Sequence, residues 1–303
     1  MAERERPLFS VVTVCKDAAG VIGGTCESVA GQTFGNFEWI VVDGASSDGT
    51  AEALSGYRRR MAHFLSEPDG GAYHAMNKGL ALARGEYLIF MNGGDAFAAD
   101  TVLAQVVAAG LSAEVVYGNE VKVYPDGEEE VCSSRPAEGI SRLAFAGHNG
   151  IPHQAAFIRR ELFDRFGPYD QGLRIVADWE KWIVFAAGGC SFAKLELAVS
   201  RFRMGGVSTS GERRREMEAE KREVRRRHFT PAEVRKGRRL FKRLSRYRRT
   251  GGFFPLFSTE ATPTGNKRRI RFLGFPLLRI QTIGRRRSFS LFGLLPVWKS
   301  GIE

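Results

Sequence analysis

Acidic side chains recur in this chain directly after hydrophobic segments. Asp17 follows LFSVVTVC, Asp43 closes FEWIVVD, Asp69 comes after a short apolar segment, and Asn92 and Asp95 follow YLIFM. Such oxygens can accept hydrogen bonds from a nucleoside or bind a divalent cation that neutralises phosphate charge. Each residue alone is also a common turn residue. Their recurrence after four segments favours one shared binding site.

The apolar segments themselves predict alternating strands and helices. Strands are predicted over 8–15, 37–43, 63–66 and 87–91, and helices over 21–30, 50–60 and 72–83. The short connections predict an α/β fold with a Rossmann-like, doubly wound, mostly parallel sheet. Because ligands bind such sheets at the carboxyl ends of the strands, we expect the acids to share one edge.

Other chemistry that the residue types could support is excluded or disfavoured. The segment CKDAAGVIGG lacks the tight first turn of a GxGxxG motif, and no P-loop occurs, so a bound nucleotide would depend on acids and a metal. The cysteines are widely spaced without a CxxC pair, which predicts free thiols rather than disulfides or a zinc site. They are Cys15, Cys26, Cys132 and Cys190.

Five motifs occur in a fixed order along the first 210 residues. They are SVVTVCKDAAG (10–20), QTFGNFEWIVVDGASSDGT (32–50), SEPDGGAYHAMNKGLALARGEYLIFMNGGD (66–95), HQAAFIRRELF (153–163) and IVADWEKWI (175–183). Together they resemble the family 2 glycosyltransferases, most of all the branch that builds bacterial surface polysaccharides. The resemblance implies a GT-A fold and inverting transfer from a nucleotide-diphosphate sugar, with a UDP-sugar favoured, to a lipid-linked or growing cell-envelope glycan.

The resemblance also implies roles on the donor side. It places Asp43 against the base, Asp17 near the ribose or base edge, and Asp69 in the same wall. Lys78 either meets a diphosphate oxygen or lies on a solvated helix face. For Asp48, in SSDGT, we favour a cap at the start of a helix over contact with the ligand.

A metal site is implied after the fourth predicted strand. Asp95 is the expected ligand of a divalent cation, Mn²⁺ or Mg²⁺, and Asn92 can add a neutral oxygen. Most of the family has DxD or DxDD here, whereas this chain has NGGD, a form common in the branch that it resembles. The departure also suggests an alternative, a scaffold that binds nucleotide sugars without turnover.

The motif ADWEKW is identified with the segment that supplies the family's general base. It places Asp178 at the start of a predicted helix, as the group that takes the acceptor proton. Glu180 points to another face, where we predict an ion pair with an Arg or Lys. Trp179 and Trp182 are either core residues or a platform for a sugar ring, and core is favoured for one of them.

Two further segments are candidates for lining the site. His153 and Gln154 belong to the acceptor segment of the family that this chain resembles, although a lone histidine is more often structural. The stretch 204–209 (MGGVST) resembles a loop that closes over the donor, and its two glycines would supply the flexibility of a lid.

Charge divides the chain into an acidic body and a basic tail. Residues 1–212 hold 19 Lys and Arg against 27 Asp and Glu, whereas 213–303 hold 26 against 7. We predict a GT-A domain over 1–210, with a donor half at about 7–110 and an acceptor half at about 111–210. A basic, helical and amphipathic extension is predicted over 211–303.

The basic tail predicts an anionic partner. An anionic membrane surface is favoured, because apolar side chains interleave with arginine in RRLFKRLSRYRR. Nucleic acid is disfavoured, because the chain has no known recognition motif and its body is acidic. Two similar segments, 268–280 and 286–300, follow; they fit lipid contact, packing on the body, or a small hairpin. With no signal-peptide or membrane-span pattern, we expect a cytoplasmic protein peripheral to the inner face of the membrane.

Overall fold

The computed structural model describes residues 6–134, 136–147, 150–204 and 211–250 and five later strands. Two compact units are present, Met1–Gly237 and Arg238–Glu303. The strands of the first unit are β1 Phe9–Cys15, β2 Phe37–Asp43, β3 His63–Ser66, β4 Tyr87–Phe90, β5 Ala96–Phe97, β6 Val115–Val123, β7 Glu129–Cys132, β8 Ala156–Arg159 and β9 Phe192–Arg203. The helices are α1 Ala19–Ala30, α2 Thr50–Ser55, α3 Ala72–Leu82, α4 Val102–Ala109, α5 Arg142–Gly147, α6 Glu161–Phe166, α7 Ala177–Ala187, α8 Gly211–His228 and α9 Pro231–Thr250.

The first unit contains one mostly parallel sheet with the order β3-β2-β1-β4-β8-β6-β9-β5, and β7 pairs with β6. The strands β1 to β4 are parallel to one another, β6 is parallel to β9, and β8 is antiparallel to both β4 and β6. The predicted α/β fold and the first four strands are confirmed. The predicted helix over 50–60 is shorter, because α2 ends at Ser55 before Gly56 and a 3₁₀ turn follows at 58–60.

The core lies on both faces of this sheet, which explains why its strands read as continuous apolar runs. Every residue of β1 is buried. Val12 packs in a cluster with α3 and α7, whereas Val11 packs in a second cluster with α1 and α4. Helices therefore cover both faces, and the loops after β1, β2, β3 and β4 meet at the carboxyl edge, as the sequence predicted. The four cysteines are free, also as predicted.

The first unit extends past residue 210, where the sequence placed its boundary. Although most residues of α8 are charged, two apolar ones contact the core. Val224 is fully buried in the cluster that contains Val12, and Met217 packs against the same cluster. At Gly237 a Cβ atom would lie 2.5 Å from the carbonyl oxygen of Leu143, so α9 also approaches the body closely. Residues 211–237, which the sequence analysis assigned to the tail, therefore belong to the first unit. They do so because α8 is amphipathic and not solvated on all sides.

The second unit contains an antiparallel sheet in the order β10-β11-β12-β13-β14. Its strands are β10 Phe257–Ala261, β11 Lys267–Phe272, β12 Phe275–Ile283, β13 Arg286–Leu291 and β14 Pro296–Gly301. Each of the two similar segments forms one hairpin, β11 with β12 and β13 with β14. Of the alternatives that the sequence left open, the hairpin is therefore the structure observed. Within the described residues, no helix is long and apolar enough to cross a membrane.

Candidate active site

The NGGD turn after β4 is held in place by a threonine of α1. The Thr25 hydroxyl donates to the Asp95 carbonyl oxygen at 2.6 Å and accepts the Gly94 N–H at 2.9 Å. Gly94 has a φ of 101°, a conformation that favours glycine. Asp95 is buried in this turn. The role of Thr25 could not be predicted, because Thr25 lies in the middle of a helix and belongs to no motif.

A second carboxylate lies close to Asp95. Burial, as the larger cause, and the negative charge of Glu120 on β6 together raise the pKa of Asp95 to about 8, and a hydrogen bond from the Arg203 backbone N–H opposes both effects. Burial also raises the pKa of Glu120, and Lys122 opposes that shift. The Gln154 amide donates to Glu120 at 2.9 Å, so Gln154 orients the second acid. Glu120 was not predicted, because it follows no turn motif and lies within a long strand.

The residues around Asp95 fit a divalent cation. A buried carboxylate whose pKa is raised by a second acid favours a positive charge beside it. The Asn92 side-chain oxygen is buried without a hydrogen-bond partner, which leaves it available as a ligand. Within the described residues no cluster of three or more His, Cys, Asp and Glu is arranged to hold a metal. Mg²⁺ and Mn²⁺ sites commonly use one or two carboxylates and complete their shell with phosphate and water.

The loop after β2 brings two predicted nucleotide contacts together. Asp17 is exposed, with a φ of 46°, and its carboxylate accepts the Ser47 N–H at 3.0 Å. Asp43 is fully buried, and it accepts hydrogen bonds from Ser46 and, at 2.7 Å, from the Ser66 hydroxyl. Asp43 thus stabilises the loop that contains Ser46. Because its carboxylate is fully buried and accepts hydrogen bonds from both serines, it has no exposed oxygen for the predicted contact with a base.

Asp69 and Lys78 both shape the loop after β3. Asp69 accepts the Gly71 N–H at 2.8 Å, and its second oxygen lies against Gly44, where a Cβ atom would not fit. Lys78 forms an ion pair with Glu67 at 2.8 Å and donates to the Pro68 carbonyl oxygen at 2.9 Å. Lys78 therefore stabilises its own loop through two contacts of its ammonium group.

Asp48 lies at the ends of two helices, in keeping with the structural role that we favoured. Its carboxylate accepts the N–H groups of Thr50, at 3.1 Å, and of Ala19, at 2.9 Å. Hydrogen bonds from Thr50 and Ala19 lower the pKa of Asp48. The N-cap position itself belongs to Gly49, so Asp48 acts one residue earlier than predicted.

Asp178 lies in the first turn of α7, where the helix dipole favours a negative charge. It is half-buried, and one carboxylate oxygen lies 2.8 Å from the Tyr73 hydroxyl, which is also 2.9 Å from the Ile175 carbonyl oxygen. Burial raises the pKa of Tyr73 well above its ordinary value, and the negative charge of Asp178 adds to this shift. Tyr73 thus stays neutral and can donate a hydrogen bond to one carboxylate oxygen of Asp178.

His153 packs in an aromatic cluster instead of lining an open site. Its ring stacks on Phe90, with 5.0 Å between the centroids, and its Nε2 atom lies 2.7 Å from the Tyr169 hydroxyl. Burial lowers the pKa of His153, which favours the neutral ring. The structural alternative for this histidine is therefore the one observed, while its neighbour Gln154 reaches the acid pair.

Both tryptophans of α7 belong to the core. Trp179 is 3% exposed and its ring is covered by the Arg225 guanidinium, 5.1 Å from the centroid, while Trp182 is 1% exposed. Neither ring offers an open face to a sugar. Glu180 lies 2.9 Å from His228 and 3.6 Å from Arg227, which confirms its predicted ion pair. Residues 205–209 of the predicted lid lie outside the described residues.

Comparison with known proteins decides the family. Residues 10–167, more than half of the chain, match the model of the family described as Glycosyl transferase family 2. The chain belongs to glycosyl transferase family 2. This glycosyltransferase is 34% identical over 211 residues to an uncharacterized glycosyltransferase of Mycobacterium tuberculosis, covering 68% of the chain and 79% of that relative. It is 33% identical over 180 residues to a PGL/p-HBAD biosynthesis glycosyltransferase of Mycobacterium bovis, covering 57% of the chain and 68% of the relative.

Solved structures confirm the GT-A fold of this glycosyltransferase. Residues 1–349 of Staphylococcus aureus TarS in complex with UDP superimpose with a TM-score of 0.54 at 20% identity, covering 65% of this chain and 60% of that one. The mannosyltransferase PcManGT of Pyrobaculum calidifontis, in complex with GDP-Man and Mn²⁺, superimposes with a TM-score of 0.58 at 21% identity, covering 79% of this chain and 70% of that one. At these identities the likeness shows the fold alone.

Proposed function

We propose that this glycosyltransferase transfers a sugar, with inversion, from a nucleotide-diphosphate donor to a lipid-linked or growing cell-envelope glycan. The observation that carries the proposal is Asp178, a half-buried carboxylate in the first turn of α7 with one oxygen held by Tyr73. The biosynthetic role named for the Mycobacterium bovis relative supports a glycan or glycolipid acceptor. The ligands named for the two solved structures support a nucleotide donor, and we favour a UDP-sugar.

Asp178 acts as the general base in this proposal. Its second oxygen, the one that Tyr73 does not hold, takes the proton of the acceptor hydroxyl. The acceptor oxygen then forms a bond to the anomeric carbon as the bond from that carbon to the diphosphate breaks on the opposite face. The nucleoside diphosphate leaves with the electron pair of the broken bond, so attack from the opposite face inverts the configuration.

The donor is held by the loops at the carboxyl edge of the sheet. We assign Asp17 and Asp69 to the wall that meets the nucleoside, and Asp43 to holding the loop between them. Asp95, assisted by Glu120 and the Asn92 oxygen, would hold a Mn²⁺ or Mg²⁺ ion. Such an ion, when bound, neutralises charge that develops on the leaving diphosphate.

A transfer assay tests the proposed reaction. The protein is incubated with UDP-glucose, UDP-GlcNAc or GDP-mannose, with and without a polyprenyl-diphosphate-linked sugar as acceptor, and the released nucleotide is measured. We expect release that depends on the acceptor, and a product whose anomeric configuration is opposite to that of the donor. Binding of nucleotide without any release would favour the scaffold alternative, and a product with retained configuration would contradict the role of Asp178.

Basic residues of α8 and the start of α9 support docking on an anionic membrane. Six of these cations are exposed and have no ion-pair partner among the described residues. They are Arg213, Arg214, Arg215, Arg222, Arg235 and Lys236. Each such side chain gains roughly 1 kcal/mol near an anionic leaflet. We therefore propose that the protein lies on the inner face of the cytoplasmic membrane, where a lipid-linked acceptor is available.

Vesicle binding tests this docking with a control that the chain itself supplies. Replacing Arg213, Arg214 and Arg215 by Gln is expected to weaken binding to vesicles containing phosphatidylglycerol by about 100-fold, because three charges are lost. The same change in the other arginine triplet, Arg58 to Arg60, removes equal charge from the 3₁₀ turn that follows α2 and should have little effect. Equal loss in both variants, or tighter binding to RNA than to the vesicles, would contradict the proposal.

A further inference from the structure

The carboxyl-terminal end of α8 contacts the first turn of α7, although the sequence analysis assigned α8 to a separate tail. Arg225 covers the Trp179 ring, and His228 pairs with Glu180. Arg227 pairs with Asp170 at 2.7 Å, ahead of α7. Two of these contacts therefore connect the end of α8 with the helix that carries Asp178, and the third connects it with the segment before that helix.

A fourth contact joins α8 to the backbone just before α7. One oxygen of Glu220 accepts the Arg174 N–H at 2.7 Å, and the other accepts the N–H groups of Ile175 at 2.9 Å and of Val176 at 3.1 Å. Val176 is the N-cap of α7, and it has no side chain able to accept a hydrogen bond. Glu220 therefore holds the backbone of the three residues that lead into α7, up to and including its N-cap.

The same short segment is held from its other side. The Tyr73 hydroxyl lies 2.9 Å from the Ile175 carbonyl oxygen and 2.8 Å from the Asp178 carboxylate. Glu220 thus takes the N–H groups of the segment while Tyr73 contacts a carbonyl oxygen of the same segment. We call these two sets of contacts on residues 174–176 the clamp. Asp178 follows two residues after it, so the position of the Asp178 carboxylate depends on both Glu220 and Tyr73.

We propose that Glu220 is a positioning residue for Asp178. By fixing the backbone of 174–176, it sets where α7 begins and hence where the Asp178 carboxylate lies relative to the acceptor hydroxyl. This inference rests on the proposed role of Asp178 as base. A misplacement of about 1 Å at a reacting group can lower a rate roughly 100-fold, so a side chain that contacts no substrate can control catalysis.

The geometry predicts a graded effect of two substitutions. Glu220→Gln keeps one acceptor oxygen, which can still take the N–H groups of Ile175 and Val176, but its amide group would oppose the Arg174 N–H. Glu220→Ala removes all three hydrogen bonds. Glu218→Gln is the matched control, because Glu218 lies two residues away on α8 and pairs, among the described residues, only with Lys221.

Hydrogen exchange of the full-length protein tests the clamp without any assay of activity. We expect the amides of 174–176 to exchange about 10-fold faster in Glu220→Gln and faster still in Glu220→Ala, with the exchange of β1 and β4 unchanged. Glu218→Gln should exchange like the wild type. Unchanged exchange at 174–176 in Glu220→Ala, or an equal increase throughout the first unit, would overturn the positioning role.

A double-mutant cycle then tests whether Glu220 acts through Asp178. With the donor and acceptor that support transfer, Glu220→Gln should lower kcat about 10-fold and leave the donor KM unchanged. The same change made in an Asp178→Asn background should cost no further activity, because the group that it positions is already lost. Equal losses in both backgrounds would overturn the inference. Full activity of Asp178→Asn alone would instead overturn the assignment of the base, with the exchange result standing separately.

Discussion

Replacing Asp178 by Asn is expected to lower the rate of sugar transfer about 1000-fold while nucleotide binding stays unchanged. The amide fills the same space and can still accept the hydrogen bond of Tyr73, but it cannot take a proton. General bases contribute roughly 10²- to 10⁴-fold to enzymatic rates, which sets this magnitude. The loss should appear in kcat, because the acceptor proton moves only in the transition state.

The measurement compares kcat, donor KM and melting temperature of the variant with those of the wild type. Asp164→Asn is the matched control, since Asp164 on α6 is exposed and its only ion pair in the part of the chain that the structure describes is with Arg160. The control should keep full activity. If Asp178→Asn transfers sugar at the rate of the wild type, Asp178 is not the base. If its melting temperature falls together with its activity, the substitution has damaged the fold instead.

Replacing Asp95 by Asn is expected to abolish the effect of metal on nucleotide binding and to lower transfer by at least about 100-fold. Asp95 is the buried acid of the NGGD turn, and a bound cation contributes several kcal/mol of transition-state stabilisation. The variant should fold normally, because Asn keeps the backbone carbonyl that Thr25 holds. Asp100→Asn is the control, since Asp100 is exposed shortly after the same turn.

The raised pKa of Asp95 gives this site a characteristic pH dependence. Without metal, burial and Glu120 raise the pKa of Asp95 to about 8, so the carboxyl group holds a proton at neutral pH. A cation must displace that proton, and metal affinity should therefore rise as the pH increases from 6 to 8. Calorimetric titration with Mn²⁺ in the presence of nucleotide checks this trend. Affinity that is independent of pH, or that falls over this range, would contradict the assignment of Asp95 as ligand.

The positions of the acids at the sheet edge could be predicted from the sequence, because local pattern determines them. A continuous apolar run followed by a turn residue marks the end of a buried parallel strand, and this rule located Asp17, Asp43 and Asp95 correctly. It could not reveal which carboxylates are open. Asp43 is closed by Ser46 and Ser66, and the bond from Ser66 depends on the register of β3 beside β2.

Residues that contact the site from a distant part of the sequence could not be predicted. Glu120 approaches Asp95 from β6, and Tyr73 approaches Asp178 from α3. Both pairings depend on tertiary packing and have no motif of their own. Glu220 could not be predicted for another reason. A helix rich in Arg and Glu is typical of a solvated surface, and the packing of α8 is visible only from the contacts that Val224 and Met217 make with the core.

The melting temperature of the protein with UDP, GDP and dTDP, each with and without Mn²⁺, tests the donor site most directly. A ligand at 100 times its Kd adds about 2.7 kcal/mol to the stability of the folded state, which is readily measured. We predict that one nucleotide raises the melting temperature, that Mn²⁺ increases this shift, and that the increase disappears in Asp95→Asn. No shift with any of the three nucleotides would contradict the donor site, and with it the assignment of a nucleotide-sugar-dependent transfer to this edge of the sheet.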